Sequence, residues 1–423
     1  MARRTGSADL PLHGGHVPAW LAERMARLGR VIVEAIAIQY GRDEVLRRLA
    51  HPFWFQAFGA VMGMDWHSSG ITTSVALALK RGLGPLQGEL GLYVCGGRGK
   101  HSRKTPAELL GVAERTGADG DALVRSSRLV AKVDSAAVQD GFDLYLHAFI
   151  VAADGAWTVV QQGMNPASRS ARRYHWLSAE LKDFVDEPHT AIEGENRGVI
   201  VNLTDHRAEA SRRCQIELAS GSPDRVVQAL KRLRPERYPV PPQLTLPAHH
   251  EVLSSDVVLR RLHGTLAAAA ECGPRDFAEL LLIPGIGART VEALALVGEV
   301  IHGAPFRFSD PARFSLAHGG KDGHPFPVPL RVYDETLRVL RDAVDRAKLG
   351  NDDKLAAIEN LDRQSRSIEH RAGGPSFDAF VAAERRAAPS YGGRTVFDGS
   401  RAAPRNKPPR GQLGLPGLGS PRR

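Results

Sequence analysis

Cysteine is scarce in this chain. Cys95, Cys214 and Cys272 are the three in 423 residues, far apart and with no C-x-x-C pair. That spacing excludes a disulfide framework and the paired thiolates of a structural zinc site. No apolar run approaches the ~18 residues needed to cross a bilayer. The basic N-terminus Met1–Asp9 is followed by no apolar stretch of the kind a secretory leader carries. These absences lead us to expect a reducing cytoplasm and no membrane partner. Several chemical signatures are missing as well. No H-E-x-x-H occurs, and Ser68-Ser69 beside His67 lacks the G-x-S-x-G elbow of a serine hydrolase. Gly99-Lys100 is followed by His101, and Val94 stands where a phosphate-binding P-loop needs its first glycine, so there is no nucleotide-cofactor motif.

Charge of one sign is less abundant than the total suggests. The net charge is +9, yet residues 385–423 hold nine Lys/Arg against the single acid Asp398. Residues 1–384 are left with 47 basic and 46 acidic side chains, so any contact with a polyanion there has to rest on local patches. The same 39-residue tail has six prolines and seven glycines and is expected to be disordered, adding salt-sensitive attraction to phosphates.

With 43% hydrophobic and 24% charged residues, the remainder has the make-up of an ordinary globular chain, long enough for two or three domains. Five prolines between Pro235 and Pro247 mark a linker over 235–250. The expected organisation is an α+β domain over 1–234, an all-α domain over 251–384 and the basic tail over 385–423. Within the first domain, helices are expected over 18–50, 71–83, 106–130, 205–219 and 223–233, with short strands over 90–95 and 199–201. The segments 142–151 and 157–162 read as strands around Asp154-Gly155, a strong hairpin signal.

The most restrictive pattern lies at Leu281-Leu282-Ile283-Pro284-Gly285-Ile286-Gly287-Ala288-Arg289-Thr290, between two helix-patterned apolar segments. It resembles the helix-hairpin-helix motif of DNA repair and replication proteins, here over about 276–302. The resemblance implies contacts to a DNA backbone from Gly285, Ile286, Gly287, Ala288, Arg289 and Thr290. Glycine permits a tight turn, and the following helix begins with unpaired N–H groups and a partial positive charge that suit a phosphate. Ile283 and Ile286 are expected to pin the turn to a core. A plain αα-hairpin without a ligand is the competing reading.

Three further constellations carry chemistry. If Asp154-Gly155 is a two-residue turn, His147 faces Gln162, and Asp143, Tyr145 and His147 share one face. Asp134, Asp140, Asp143 and His147 would then converge at a sheet end, where Asp140 and Asp143 can hold Mg or Mn and activate water against a phosphodiester. The loop with Arg98, Lys100, His101, Arg103 and Lys104 packs cations and glycines after a strand and suits phosphate, with Thr105 expected as the cap of the next helix. The run Arg169, Arg172, Arg173, Tyr174, His175 and Trp176 reads either as a base-stacking patch or as core aromatics flanked by surface arginines.

Taken together, 53–70, 96–106, 132–147, 159–165, 174–176 and 310–320 resemble the prokaryotic family called domain of unknown function 763, over roughly residues 4–370. That resemblance implies no activity. A second one concerns 281–314. In helix-hairpin-helix DNA glycosylases the hairpin is followed by Gly-x-Pro and a catalytic aspartate, an order matched by Gly303-Ala304-Pro305 and Asp310. Arg289 stands at the position of the lysine of bifunctional members, and a guanidinium stays protonated, so lyase chemistry is not expected. Three readings of a role in DNA repair or processing follow: a metal-dependent nuclease that grips the backbone without sequence preference, a non-catalytic DNA-structure-binding accessory protein, and a base-excision enzyme using Asp310. The sequence is silent on protein partners.

Overall fold

The computed structural model describes residues 10–11, 19–63, 70–233, 256–312, 330–347, 350, 352–353 and 355–359. All belong to a compact unit formed by residues 1–368. The expected linker over 235–250 and the tail over 385–423 lie outside the described residues, as does the Ser68-Ser69 pair.

After the two-residue strand β1 (Leu10–Pro11), the chain builds a helical layer: α1 (Ala19–Tyr40), α2 (Arg42–Ala50), α3 (Pro52–Val61) and α4 (Gly70–Leu83). Asp43 and Glu44 open α2 while Arg47 and Arg48 close it, each end matched to the helix dipole. The short α5 (Gln87–Leu90) leads to β2 (Leu92–Arg98). Next come α6 (Thr105–Thr116) and α7 (Gly120–Lys132). Gly117 stops α6 in the left-handed conformation, and the Asp119 side chain starts α7 by accepting from the Ala122 N–H at 2.9 Å. A single π-helical turn, Val133–Ala137, extends α7. Then follow β3 (Val138–Gln139), β4 (Asp143–Ala152), β5 (Trp157–Asn165), β6 (Ser170–Leu177), β7 (Ala191–Glu193), β8 (Val199–Asn202), α8 (Glu209–Ser220) and α9 (Pro223–Arg232). The described C-terminal elements are α10 (Asp256–Cys272), α11 (Phe277–Leu282), α12 (Ala288–His302), β9 (Arg307–Ser309) and α13 (Leu330–Arg346).

The molecule is therefore mixed α+β with a helical N-terminal layer and two antiparallel sheets. The large sheet runs β1-β6-β5-β4-β2, with β7 also on β6; the small one runs β3-β8-β9. β9 falls in the stretch expected to be wholly helical. It pairs with β8 through Arg307–Val201, Phe308–Ile200 and Ser309–Val199, so a sheet edge left open by β8 draws in the chain that follows α12.

Helices cover both faces of the large sheet. On one face Leu146, Ala148, Ile150 and Val160 pack under α1–α4 and α13. On the other, Phe149, Val151, Val159, Tyr174 and Trp176 share a core with residues of α6–α12. Strands enclosed on both faces have no solvent side, and every residue of β6 is buried. No helix among the described residues is long and apolar enough to cross a membrane.

The hairpin at Asp154-Gly155 is present with a different register. Ala152 N–H donates to Ala156 O at 2.7 Å, which closes a three-residue loop with Gly155 at φ 90°. Asp154 accepts from the Ala156 N–H at 3.1 Å and fixes the turn. His147 therefore faces Gln161, not Gln162. A bulge then interrupts β4 between Leu144 and Leu146. Leu144 packs with the Phe149 layer and Tyr145 with the Leu146 layer, so alternation places Asp143 on the face opposite His147.

Candidate functional site

Residues 283–286 form the turn between α11 and α12. Pro284 and Gly285 occupy its centre, Gly285 at φ 90°, and the Ile286 N–H closes it on Ile283 O at 3.1 Å. That is a type II turn, which requires glycine at its third position. Ile283 and Ile286 are both buried in the core. Gly287 is different: its backbone is extended, at φ −147°, and a Cβ there would meet nothing within 4 Å. Neither conformation nor packing calls for glycine at 287.

The turn is held from below by residues of another segment. Lys132 Nζ, at the end of α7, donates to Ile286 O, and Gln139 Nε2, at the end of β3, donates to Ala288 O at 2.9 Å. The Ile286–Gly287 peptide is trans, so its N–H points away from the carbonyl that Lys132 holds. Among the described residues the Gly287 N–H has no partner. It stands at the start of α12, where a helix concentrates backbone donors and a partial positive charge suited to an oxyanion. Arg289 is exposed, whereas Thr290 is buried and Ile286 can offer only backbone.

The second cationic feature is a short 3-10 helix, Gly99–Lys104. Arg98, Lys100, His101, Arg103 and Lys104 are all exposed. Thr105 does not cap α6 with its side chain; its hydroxyl donates to Ser102 O at 2.7 Å and tightens the 3-10 turn. Arg98 lies opposite Leu146, and Ala288 rests on Gln139. Seven residues separate Gln139 from Leu146, so these two anchoring points are at most ~25 Å apart. Leu146 lies near the start of β4 in the large sheet, and Gln139 in β3 of the small one.

The four sequence-selected acid and histidine positions are distributed over two buried networks and one exposed strand end. His147 Nδ1 lies 2.7 Å from Gln161 Oε1, an atom that can only accept, so Nδ1 carries the proton and Nε2 accepts from Ser127 Oγ at 3.0 Å. Burial lowers the His147 pKa and keeps the ring neutral. The Gln161 amide then donates to Asp134, which also accepts from Trp176 Nε1 at 3.0 Å and from His189. The π-helical turn carries Asp134 inward to this network.

Asp140 belongs to the second network. It accepts from Arg172 Nη1 at 2.7 Å, from the Tyr174 hydroxyl at 2.6 Å and from the Phe142 N–H at 3.0 Å. The other side of the Arg172 guanidinium binds Asp310, at 2.7 and 3.1 Å, and stacks over Phe142 at 4.7 Å. Burial and the nearby Asp310 raise the Asp140 pKa, while Arg172 pulls it down. Asp310 also accepts from the Arg197 and Ala312 N–H groups, at 2.7 and 2.9 Å. The acid expected as a base-excision catalyst is thus enclosed and committed to internal bonds. Asp143 is exposed at the start of β4. Asp134 and His147 thus belong to one network and Asp140 to the other, while Asp143 stands outside both. Among the described residues no group of three or more His, Cys, Asp or Glu is placed to hold a metal ion.

The run 172–176 is buried throughout, arginines included, which corrects its reading as a base-stacking patch. Arg173 faces the helical N-terminal layer, where it donates to Gln56 Oε1 at 2.8 Å and pairs with Glu193 at 2.9 Å. Sequence reasoning missed the roles of Gln161, Arg172 and Gln139. The signal available was slight: each follows one apolar residue (Val138, Val160, Ala171) in a strand and is followed by a polar one.

The chain belongs to the family described as protein of unknown function (DUF763), whose model matches residues 6–328. No curated protein and no solved structure matches it.

Proposed function

We propose that this protein binds the backbone of DNA without reading base sequence, by means of the helix-hairpin-helix turn and the first turn of α12. The observation that carries this reading is Gly287: an N–H with no partner among the described residues, open space where a Cβ would stand, and a carbonyl on the same peptide unit held by Lys132. The exposed cations from Arg98 to Lys104 supply a second set of phosphate contacts. Contacts of this kind position a duplex or strand and carry no sequence information. A non-catalytic, structure-binding role in DNA repair or processing fits the described residues best, with the all-α hairpin region and the basic tail as the parts that grip.

Fluorescence anisotropy with labelled single-stranded, duplex and branched DNA tests the reading. Gly287→Val adds bulk in front of the amides without touching the fold; an affinity loss of about tenfold or more is expected, at roughly 1.4 kcal/mol per decade. Gly285→Val is the weaker probe, since φ 90° strains any side chain there. Unchanged affinity in a folded Gly287→Val protein would overturn the proposal. Incubation with Mn²⁺ tests the nuclease reading: cleavage lost in both Asp140→Asn and Asp143→Asn would restore a metal-dependent mechanism.

A further inference from the structure

Three polar side chains on one face of the large sheet are enclosed with polar atoms left unbonded. Register places Gln162 of β5 opposite Arg173 of β6, and His175 lies two residues further along β6 on the same side. That side faces the N-terminal helical layer. Arg173 reaches Gln56 of α3 at 2.8 Å and stacks over Phe55 at 5.1 Å, and His175 meets the same ring edge to face. All three residues are buried. Yet the Gln162 amide oxygen and nitrogen, Arg173 Nε and Nη1, and both His175 ring nitrogens have no hydrogen-bond partner among the described residues. His175 Nε2 stands 3.8 Å from Glu193 Oε2, too far for a hydrogen bond.

Neighbouring polar groups of the sheet are served quite differently. Arg172, adjacent in β6 but turned to the opposite core, is clamped by Asp140, Asp310 and the Glu195 carbonyl. Burial opposes its charge, but Asp310 and Asp140 raise its pKa all the same. Arg173 has one carboxylate, Glu193 at 2.9 Å, and burial pulls its pKa down further than that partner holds it up. Thr158, on the same side as Gln162, gives its hydroxyl to Trp176 O at 2.7 Å. Buried polar atoms without partners are rare and costly. Here the unbonded donors outnumber the acceptors beside an under-compensated guanidinium, which is the chemistry that receives an anion with several acceptor oxygens.

We infer that Gln162, Arg173 and His175 bind a small oxyanion between the large sheet and the N-terminal helical layer. The ligand is the carboxylate of an organic acid or a free phosphate. A duplex backbone is too bulky for a cluster enclosed on both sides, so the site does not rest on the DNA reading. Arg173 supplies charge and N–H donors, and Gln162 and the neutral His175 ring each add a donor. Entry runs past Tyr145, a half-buried residue of the same layer that is close enough to Arg173 to feel its charge. The exposed Arg98 stands over the Tyr145 ring at 5.9 Å. Positive charge thus leads inward from Arg98 to Arg173, and the helices over β5 and β6 part for the anion to seat.

NMR of isotope-labelled histidine side chains tests the site on the full chain, with the His175 ring assigned by its loss in His175→Phe. Sodium phosphate or sodium acetate replaces sodium chloride at constant ionic strength, and reading at His175 keeps the exposed cations out of the measurement. In wild type the His175 resonances are expected to shift and saturate. Gln162→Leu removes a donor and should bind at least about tenfold more weakly. It should also melt no lower than wild type in chloride, because it deletes atoms that were unbonded. Gln162→Glu sets a carboxylate beside Arg173 from within the chain and should abolish the response by taking the ligand's place. Saturation with phosphate, acetate or both supports the inference and names the source of the oxyanion. A wild-type ring indifferent to both anions overturns it. So does unchanged affinity in folded Gln162→Leu and Gln162→Glu. A Gln162→Leu protein that melts well below wild type in chloride overturns it too, since the amide would then be satisfied without any ligand.

Discussion

His147 and His175 lie on opposite faces of the large sheet, one beside Ser127 and Gln161, the other beside Phe55 at 5.7 Å. Both are enclosed, and burial lowers both pKa values. His51, beside the same helical layer, is shifted in the same direction. In the unfolded chain these rings take up protons as pH falls through about 6.5, while in the folded protein they stay neutral. The unfolded state then binds more protons, so stability falls with pH, by about 1.4 kcal/mol per pH unit for each ring. His206, exposed and raised by Asp186, works in the opposite sense. Urea midpoints measured between about pH 7.5 and pH 5 should therefore decline, and His147→Gln should flatten part of the decline. A level profile across that window would mean that the rings are not held neutral. Arg172 pairs with both Asp140 and Asp310, and removing it would strand two buried carboxyl groups in the core.

Glycines separate the elements into those that bend by requirement and those that bend by preference. Gly96, in β2, has φ 83°, and a Cβ there would stand 2.2 Å from the His147 carbonyl oxygen. Gly155, in the β4–β5 loop, has φ 90°, with Ala118 Cβ 3.9 Å away as its nearest neighbour. Gly155→Ala is expected to cost about 1–2 kcal/mol for the left-handed backbone alone. Gly96→Ala should cost distinctly more, because β2 must also move away from β4; equilibrium unfolding of the two variants gives the order, and equal costs would contradict it. The same loop explains what was legible in the sequence. Asp154-Gly155 announced a hairpin correctly, and Ile283 and Ile286 announced a pinned turn. Loop length, however, depends on whether Ala153 joins the turn, and its N–H is taken by Gly91 O at 2.9 Å, a contact between distant segments. One residue of register then decided which glutamine stands opposite His147, and the bulge between Leu144 and Leu146 decided that Asp143 would not share its face. β6 was illegible for a related reason: arginine and histidine read as surface until a second layer of helices covers the strand.

At the scale of the whole molecule, the apolar residues of the hairpin region are partners of the sheet. Phe277, Leu280, Leu281, Ile286, Val291 and Leu294 belong to the same core as Phe149, Val159 and Trp176. β9 completes the small sheet, and Asp310 is held by Arg172 of β6. A peptide spanning residues 256–312 is expected to show little helix by circular dichroism and poor dispersion by NMR, because α11 has six residues and its partners lie elsewhere. A well-folded peptide would contradict the dependence. The consequence of the Lys132 and Gln139 contacts is one of portability. Many short helical hairpins can be imagined as cassettes, transferable from one protein to another at the cost of a linker. This one is a built-in part: transplanted without α7 and β3, it would leave behind both the residues that hold its turn and the charge beneath it, so descent with the entire sheet is the way such a hairpin travels.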